Sequence, residues 1–147
     1  MLGNKAIADA YGIGLHIHKL DLDTLRSVTV YAPNYGMVNY EEQLPAGFLE
    51  EGKNVTFGDT TLEVLFCPGH APGHVVFYHK ESGNVLGGDV LFKRSIGRTD
   101  LPGGDFDTLI SSIKTKLFVL PDDVKVYPGH GPATSIGEEK RENPFLR

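Results

Sequence analysis

A chain of 147 residues with 40% hydrophobic and 22% charged content has the makeup of one globular domain, long enough to bury ~68–70% of its unfolded surface. A formal charge of −5, with 14 basic residues scattered along the chain, argues against a nucleic-acid partner. No run reaches the ~20 apolar residues of a membrane span, the opening "MLGNKAIADA" has no signal-peptide core, and the lone Cys67 cannot close an internal disulfide, so a cytoplasmic protein without a membrane partner is expected.

In chain order, "NKAIADAYG" predicts a short helix, with Asn4 as its cap, Ile7, Ala10 and Tyr11 on one face and Gly12 as its stop. "LHIH" (15–18) predicts a strand whose His16 and His18 take surface or packing roles, and "DLDTLRSV" a brief helix before a polar, aromatic loop. "NVTF", "GDT" and "TLEVLFC" predict a hairpin with Leu62, Val64 and Phe66 on one face. "HVVFYH", "KESGN" and "VLGGD" predict a second, with His79 as a solvated strand end. "DFDTLISSIKTKLFVL" is the strongest helix: Leu109, Ile113, Lys116 and Leu117 keep a period near 3.6, and Asp105 or Asp107 stands at its start. "DVKVY" is a strand, and "SIGEEKREN" closes the chain as a helix whose charges form a solvated face. A sheet with helices packed on it is α+β or layered α/β.

"CPGHAPGH" (67–74) carries two histidines four apart, but Pro68, Gly69, Pro72 and Gly73 forbid the helix that would align them. His70, Asp89 and His130 each follow the end of a predicted strand in a glycine-rich turn, where the backbone can aim one side chain into a shared pocket. Imidazole and carboxylate are ligands that Zn²⁺ and Fe²⁺ accept. On chemistry alone, metal binding and plain turn stabilisation stand side by side for these three. Cys67 beside Pro68 reads as a buried small hydrophobe. Arg98 and Asp100 either pair to stiffen their loop or reach a substrate.

"CPGHAPGHVVFY", "VLGGDVLF", "SIGRTDLPGGD", "VYPGHGPATSIGEEK" and "ENPFL" together resemble the metallo-β-lactamase superfamily, in the compact form of its glyoxalase II-like hydrolases. The resemblance implies an αββα sandwich with mixed sheets and outer helices. It makes His70, Asp89 and His130 metal ligands, with Asp89 bridging two ions at the catalytic centre and His74 a hydrogen-bonding neighbour. Two zinc ions are implied, with iron or manganese as substitutes, and so is hydrolysis of a hydroxyacylglutathione-like small-molecule thioester by hydroxide activated on the metals. Phe92, Lys93 and Arg98, in the loop after Asp89, are then the candidate substrate contacts. A relative of the persulfide dioxygenase type, with two histidines and an aspartate on one iron, is the alternative enzyme.

One family element does not match. H-x-H-x-D-H normally lies immediately before a segment like "GNKAIADAYG", which here begins at Gly3. "HIHKLD" has the first spacing, but Leu20 and Asp21 stand where the aspartate and histidine should be. The expectation is a single metallo-β-lactamase-like domain over 1–147, N-terminally truncated, with weak or no thioesterase activity. An uncovered sheet edge offers a route to a homo-oligomer, and an inactive fragment acting through assembly is a further alternative.

Overall fold

The computed structural model describes residues 3–147, which divide into two compact units, one running to Leu49 and one from Glu50. In the first, α1 (Asn4–Tyr11) is capped by the backbone of Gly3, not by the Asn4 side chain, and ends where Gly12 takes φ +64° and donates its N–H to the Ala8 carbonyl. None of its residues is buried; Lys5 and Asp9 pair across one turn. The predicted strand forms as β1 (His16–His18) and pairs in parallel with β2 (Gly47–Leu49). Here His16 Nδ1 lies 3.1 Å from the Gly14 carbonyl, and His18 accepts the Leu20 N–H. Between the strands, α2 (Leu22–Tyr31) buries Leu25.

The second unit is built on a six-stranded sheet in the order β10-β9-β6-β5-β4-β3. Its strands are β3 (Val55–Phe57), β4 (Thr60–Phe66), β5 (Val75–His79), β6 (Asn84–Gly88), β9 (Lys125–Pro128) and β10 (Thr134–Ser135). Both predicted hairpins form, and β6 and β9 run parallel. Cross-strand partners share a face, which puts Leu65 and Val76 together, and Tyr78, Val85 and Val126 together. These pack with Leu109, Ile113, Leu117 and Ile136 in the core. Leu62, Val64 and Phe66 do share a face, the one opposite this core, where Leu86 and Tyr127 are about half exposed.

The long predicted helix begins as α3 (Phe106–Ser112), capped by Asp105 accepting the Thr108 N–H at 2.7 Å. It widens into a π turn over Ile113–Leu117, where Phe118 N–H reaches the Ile113 carbonyl. Thr115 Oγ1 bonds back to the Ser111 carbonyl at 2.7 Å, the kind of side-chain competition that distorts a helix. Leu109, Ile113 and Leu117 remain fully buried, so the apolar stripe predicted from the sequence survives the widening.

Two short elements escape a reading by periodicity: β7 (Leu91–Phe92) and β8 (Ser95–Ile96) form a small antiparallel ribbon. Its turn holds Arg94 at φ +58°, the one left-handed non-glycine among the described residues. The closing helix α4 (Ile136–Glu142) is capped by Ser135, and its charges are not all solvated: Glu139 is fully buried. No helix of the described residues is long and apolar enough to cross a membrane.

Candidate metal centre

The loop 67–74 joins β4 to β5 and is closed at its base by the Cys67 N–H on the His74 carbonyl, 2.9 Å. It is tied to α3 through the Asp105 N–H on the Gly69 carbonyl and Ser112 Oγ on the Pro68 carbonyl, both 2.8 Å. Burial pushes the Cys67 thiol up to about 12, so it stays protonated at neutral pH and acts as a core atom. His70 leaves the loop towards Asp89, which follows β6, and His130 arrives from the turn after β9. The parallel pairing of β6 and β9 brings the last two sites side by side, with the Gly129 N–H bonded to the Gly88 carbonyl at 2.7 Å.

The three predicted ligands converge. His70 Nε2 and His130 Nε2 each lie 3.6 Å from the same atom, Asp89 Oδ2. That distance is too long for a hydrogen bond. It is spanned at an open angle by two ligand bonds of ~2.0–2.2 Å to an ion. His70 Nδ1 is 2.8 Å from the Arg98 carbonyl, so the ring donates there and keeps the Nε2 lone pair for the site. The His70 ring is largely enclosed and the His130 ring is 79% exposed. His74 stands edge-on to His70, and its Nε2 accepts the Asp89 backbone N–H at 3.3 Å. It faces the main chain of Asp89, the place of a supporting neighbour.

The donor set suits metal only as partial shells, in which each imidazole would share the one carboxylate with its ion. Among the described residues no group of three His, Cys, Asp or Glu side chains is arranged to hold one ion. A catalytic zinc takes three protein ligands, so each half lacks at least one.

Beside these groups lies a cavity of about 280 Å³ lined by His70, Asp89, Phe92, Ser95, Ile96, Arg98 and His130. Phe92 meets His130 edge-to-face, centroids 6.3 Å apart. Of the three candidate substrate contacts, Phe92 and Arg98 are in the wall. Lys93 is not: its Nζ pairs with Glu138 on α4 at 3.2 Å, and this contact holds the Glu138 carboxyl below the usual carboxylate range. Ser95 and Ile96, missed in the sequence, come with the ribbon. A larger groove of about 450 Å³ runs between Phe66, Pro68 and the hydroxyl-bearing side of α3, away from the converging ligands.

Arg98 grips Asp100 through two parallel bonds of 2.7 and 2.8 Å, a pairing that stiffens their loop while Arg98 still lines the cavity. The guanidinium bonds lower the Asp100 carboxyl to about 2. Its folded pKa lies below the unfolded value, so the pair's contribution is full above ~3.9 and fades as pH falls through 2. An NMR titration is expected to find the Asp100 midpoint near 2, returning to the ordinary range in Arg98→Ala; an unchanged midpoint in that variant would assign the depression elsewhere.

A sequence model of the metallo-beta-lactamase superfamily matches residues 1–130. The chain belongs to this superfamily. Among its relatives is hydroxyacylglutathione hydrolase GloC of Haemophilus influenzae, 47% identical over 121 residues, covering 82% of this chain and 57% of that protein. The probable metallo-hydrolase YqgX of Bacillus subtilis is 50% identical over 103 residues, covering 69% and 49%. The chain thus spans about half the length of these two relatives. Among solved superfamily members, the BLEG-1 B3 metallo-beta-lactamase has a TM-score of 0.86 at 37% identity, over 96% of this chain and 68% of that one. TTHA1623, solved in a di-iron-bound form, scores 0.87 at 41% identity, over 99% and 71%. The mixed α/β fold expected from the sequence is the superfamily's fold.

Proposed function

We propose that this chain carries part of a two-metal centre and works as a metallo-hydrolase on a thioester of the hydroxyacylglutathione type. The observation that carries the reading is the placement of two imidazole nitrogens at equal distance from one Asp89 oxygen. The Haemophilus influenzae relative's name supports the substrate class. Asp89 and His70 would hold one ion, and Asp89 and His130 the other. Such ions supply Lewis acidity, bringing the pKa of a bound water towards ~7 and drawing charge from a carbonyl oxygen.

The chain's own groups set the stage for that chemistry. The Arg98 carbonyl fixes the His70 tautomer, and His74 steadies the main chain at Asp89. Phe92 and Ile96 give the acyl group an apolar wall, and Arg98 stands at the rim for a substrate carboxylate. Hydrolysis adds water across the acyl bond: carbon–sulfur breaks, carbon–oxygen forms, and an acid and a thiol leave. With two donors per ion, the chain by itself is expected to turn over slowly.

Zinc and iron both suit imidazole and carboxylate donors. The test is thiol release from hydroxyacylglutathione by the chain loaded with Zn²⁺ or Fe²⁺. Slow release that a chelator abolishes is expected; release equal with and without chelator, or none with either metal, overturns the reading. ETHE1 from Myxococcus xanthus is a further solved neighbour, with a TM-score of 0.75 at 29% identity over 97% of this chain and 55% of that one. The second reading is the one the sequence resemblance offered, an oxygen-consuming enzyme with two histidines and an aspartate on one iron. Oxygen uptake by the iron-loaded chain without thiol release would favour it.

A further inference from the structure

Glu139 and Asn143 lie one turn apart on and just after α4, and both are fully buried polar residues. Burial of a carboxylate and an amide is costly unless every atom finds a partner. Here the partners are specific. Glu139 accepts the Thr134 hydroxyl at 2.5 Å on one oxygen, and the Arg94 backbone N–H at 2.9 Å and Asn143 Nδ2 at 2.8 Å on the other. The same Asn143 Nδ2 donates to the Ser95 carbonyl at 2.9 Å, and its Oδ1 accepts the Phe145 N–H. An amide nitrogen has two protons, and both are used.

Arg94 and Ser95 are consecutive residues at the turn of the β7–β8 ribbon. Arg94 sits at φ +58°, a conformation that non-glycine residues hold only where their surroundings over-determine it. Its guanidinium adds bonds to Glu138 and Glu142 on α4. Two residues before Arg94 and one after Ser95, the ribbon presents Phe92 and Ile96 to the cavity, and Phe92 rests against His130.

We propose that Glu139 and Asn143 are positioning residues: a buried clamp from α4 that holds the ribbon turn, and through it the Phe92 wall, against His130. This goes one step beyond the hydrolase reading, resting on it only for the claim that the wall faces substrate. A two-stranded ribbon of this length has little stability of its own, so the clamp decides where its side chains stand.

The test reads the His130 ring protons by NMR in the metal-free chain, needing neither turnover nor metal, so it and the hydrolase reading can fail separately. Phe92→Leu removes the ring and defines the position of His130 without its neighbour. Asn143→Ala is expected to move the His130 resonances towards that position, while Glu139→Gln, which keeps an oxygen for Arg94 and Asn143, leaves them near wild type. Ile113→Val, a core trim in the π turn after α3 that leaves the clamp's hydrogen bonds intact, is expected to lower the melting temperature without moving them. Where Asn143→Ala does not fold, Asn143→Ser, retaining one hydroxyl donor, gives a smaller displacement in the same direction. His130 resonances unmoved in the folded Asn143 variant, or unmoved in Phe92→Leu, overturn the proposal.

Discussion

On the proposed two-metal reading, Asp89→Ala is expected to cost the protein both ions at once, whereas His70→Ala and His130→Ala each cost one. The reason is the sharing: one oxygen of Asp89 faces both imidazole nitrogens at 3.6 Å, so its removal strips a donor from each half of the centre. Of the three converging side chains, each half would keep a single imidazole. Altering an outer partner of a metal ligand typically costs ~10–100-fold in affinity, and deletion of a shared ligand is expected to exceed that for both ions. Metal content after dialysis, with calorimetric titration of Zn²⁺ and of Fe²⁺, measures it. Asp89→Asn separates charge from shape: it keeps an oxygen of the same reach without the negative charge, and is expected to bind more weakly than wild type yet better than the alanine variant. Retention of two equivalents at wild-type affinity by Asp89→Ala would remove the carboxylate from the centre altogether.

What could be read from the sequence follows the range of the forces involved. The convergence of His70, Asp89 and His130 was legible because each stands in a glycine turn at a strand end, and because the surrounding segments resemble a family in order. The amphipathic stripe Leu109, Ile113 and Leu117 was legible because burial imposes its period locally. The fate of Lys93 was not, because its partner Glu138 lies 45 positions along the chain and only the fold brings them together. The buried Glu139 looked like its solvated neighbours, since nothing in "GEEKRE" marks which carboxylate faces inwards. The ribbon stayed hidden for a sharper reason: its strands are two residues each, and its turn uses arginine where glycine or asparagine would have announced it. That turn is held from outside by tertiary bonds, so local propensity had little to say about it.

Gly97→Ala is expected to damage stability and metal binding together, the largest effect of any single methyl added near the site. A Cβ at this position would stand 1.8 Å from the Asp89 carbonyl oxygen, 2.9 Å from its carbonyl carbon and 3.5 Å from the His70 Cβ. The obstacle is backbone that cannot rotate away, and the Gly97 N–H is itself bonded to the Val90 carbonyl at 3.1 Å. The strand end bearing Asp89 must therefore shift. Overpacking of this kind typically costs ~1–3 kcal/mol, occasionally more, read as a lower midpoint in chemical denaturation. Gly129→Ala makes the contrast: its Cβ would meet the Asp89 carboxylate oxygen at 2.4 Å, and the nearest main-chain atom only at 3.4 Å. The side chain can swing aside there, so binding is expected to fall with a smaller loss of stability. If both variants lose stability equally and bind metal as wild type does, the close approach of these two turns to Asp89 has no part in shaping the centre, and the carboxylate's position must be fixed by His74 and the strand alone.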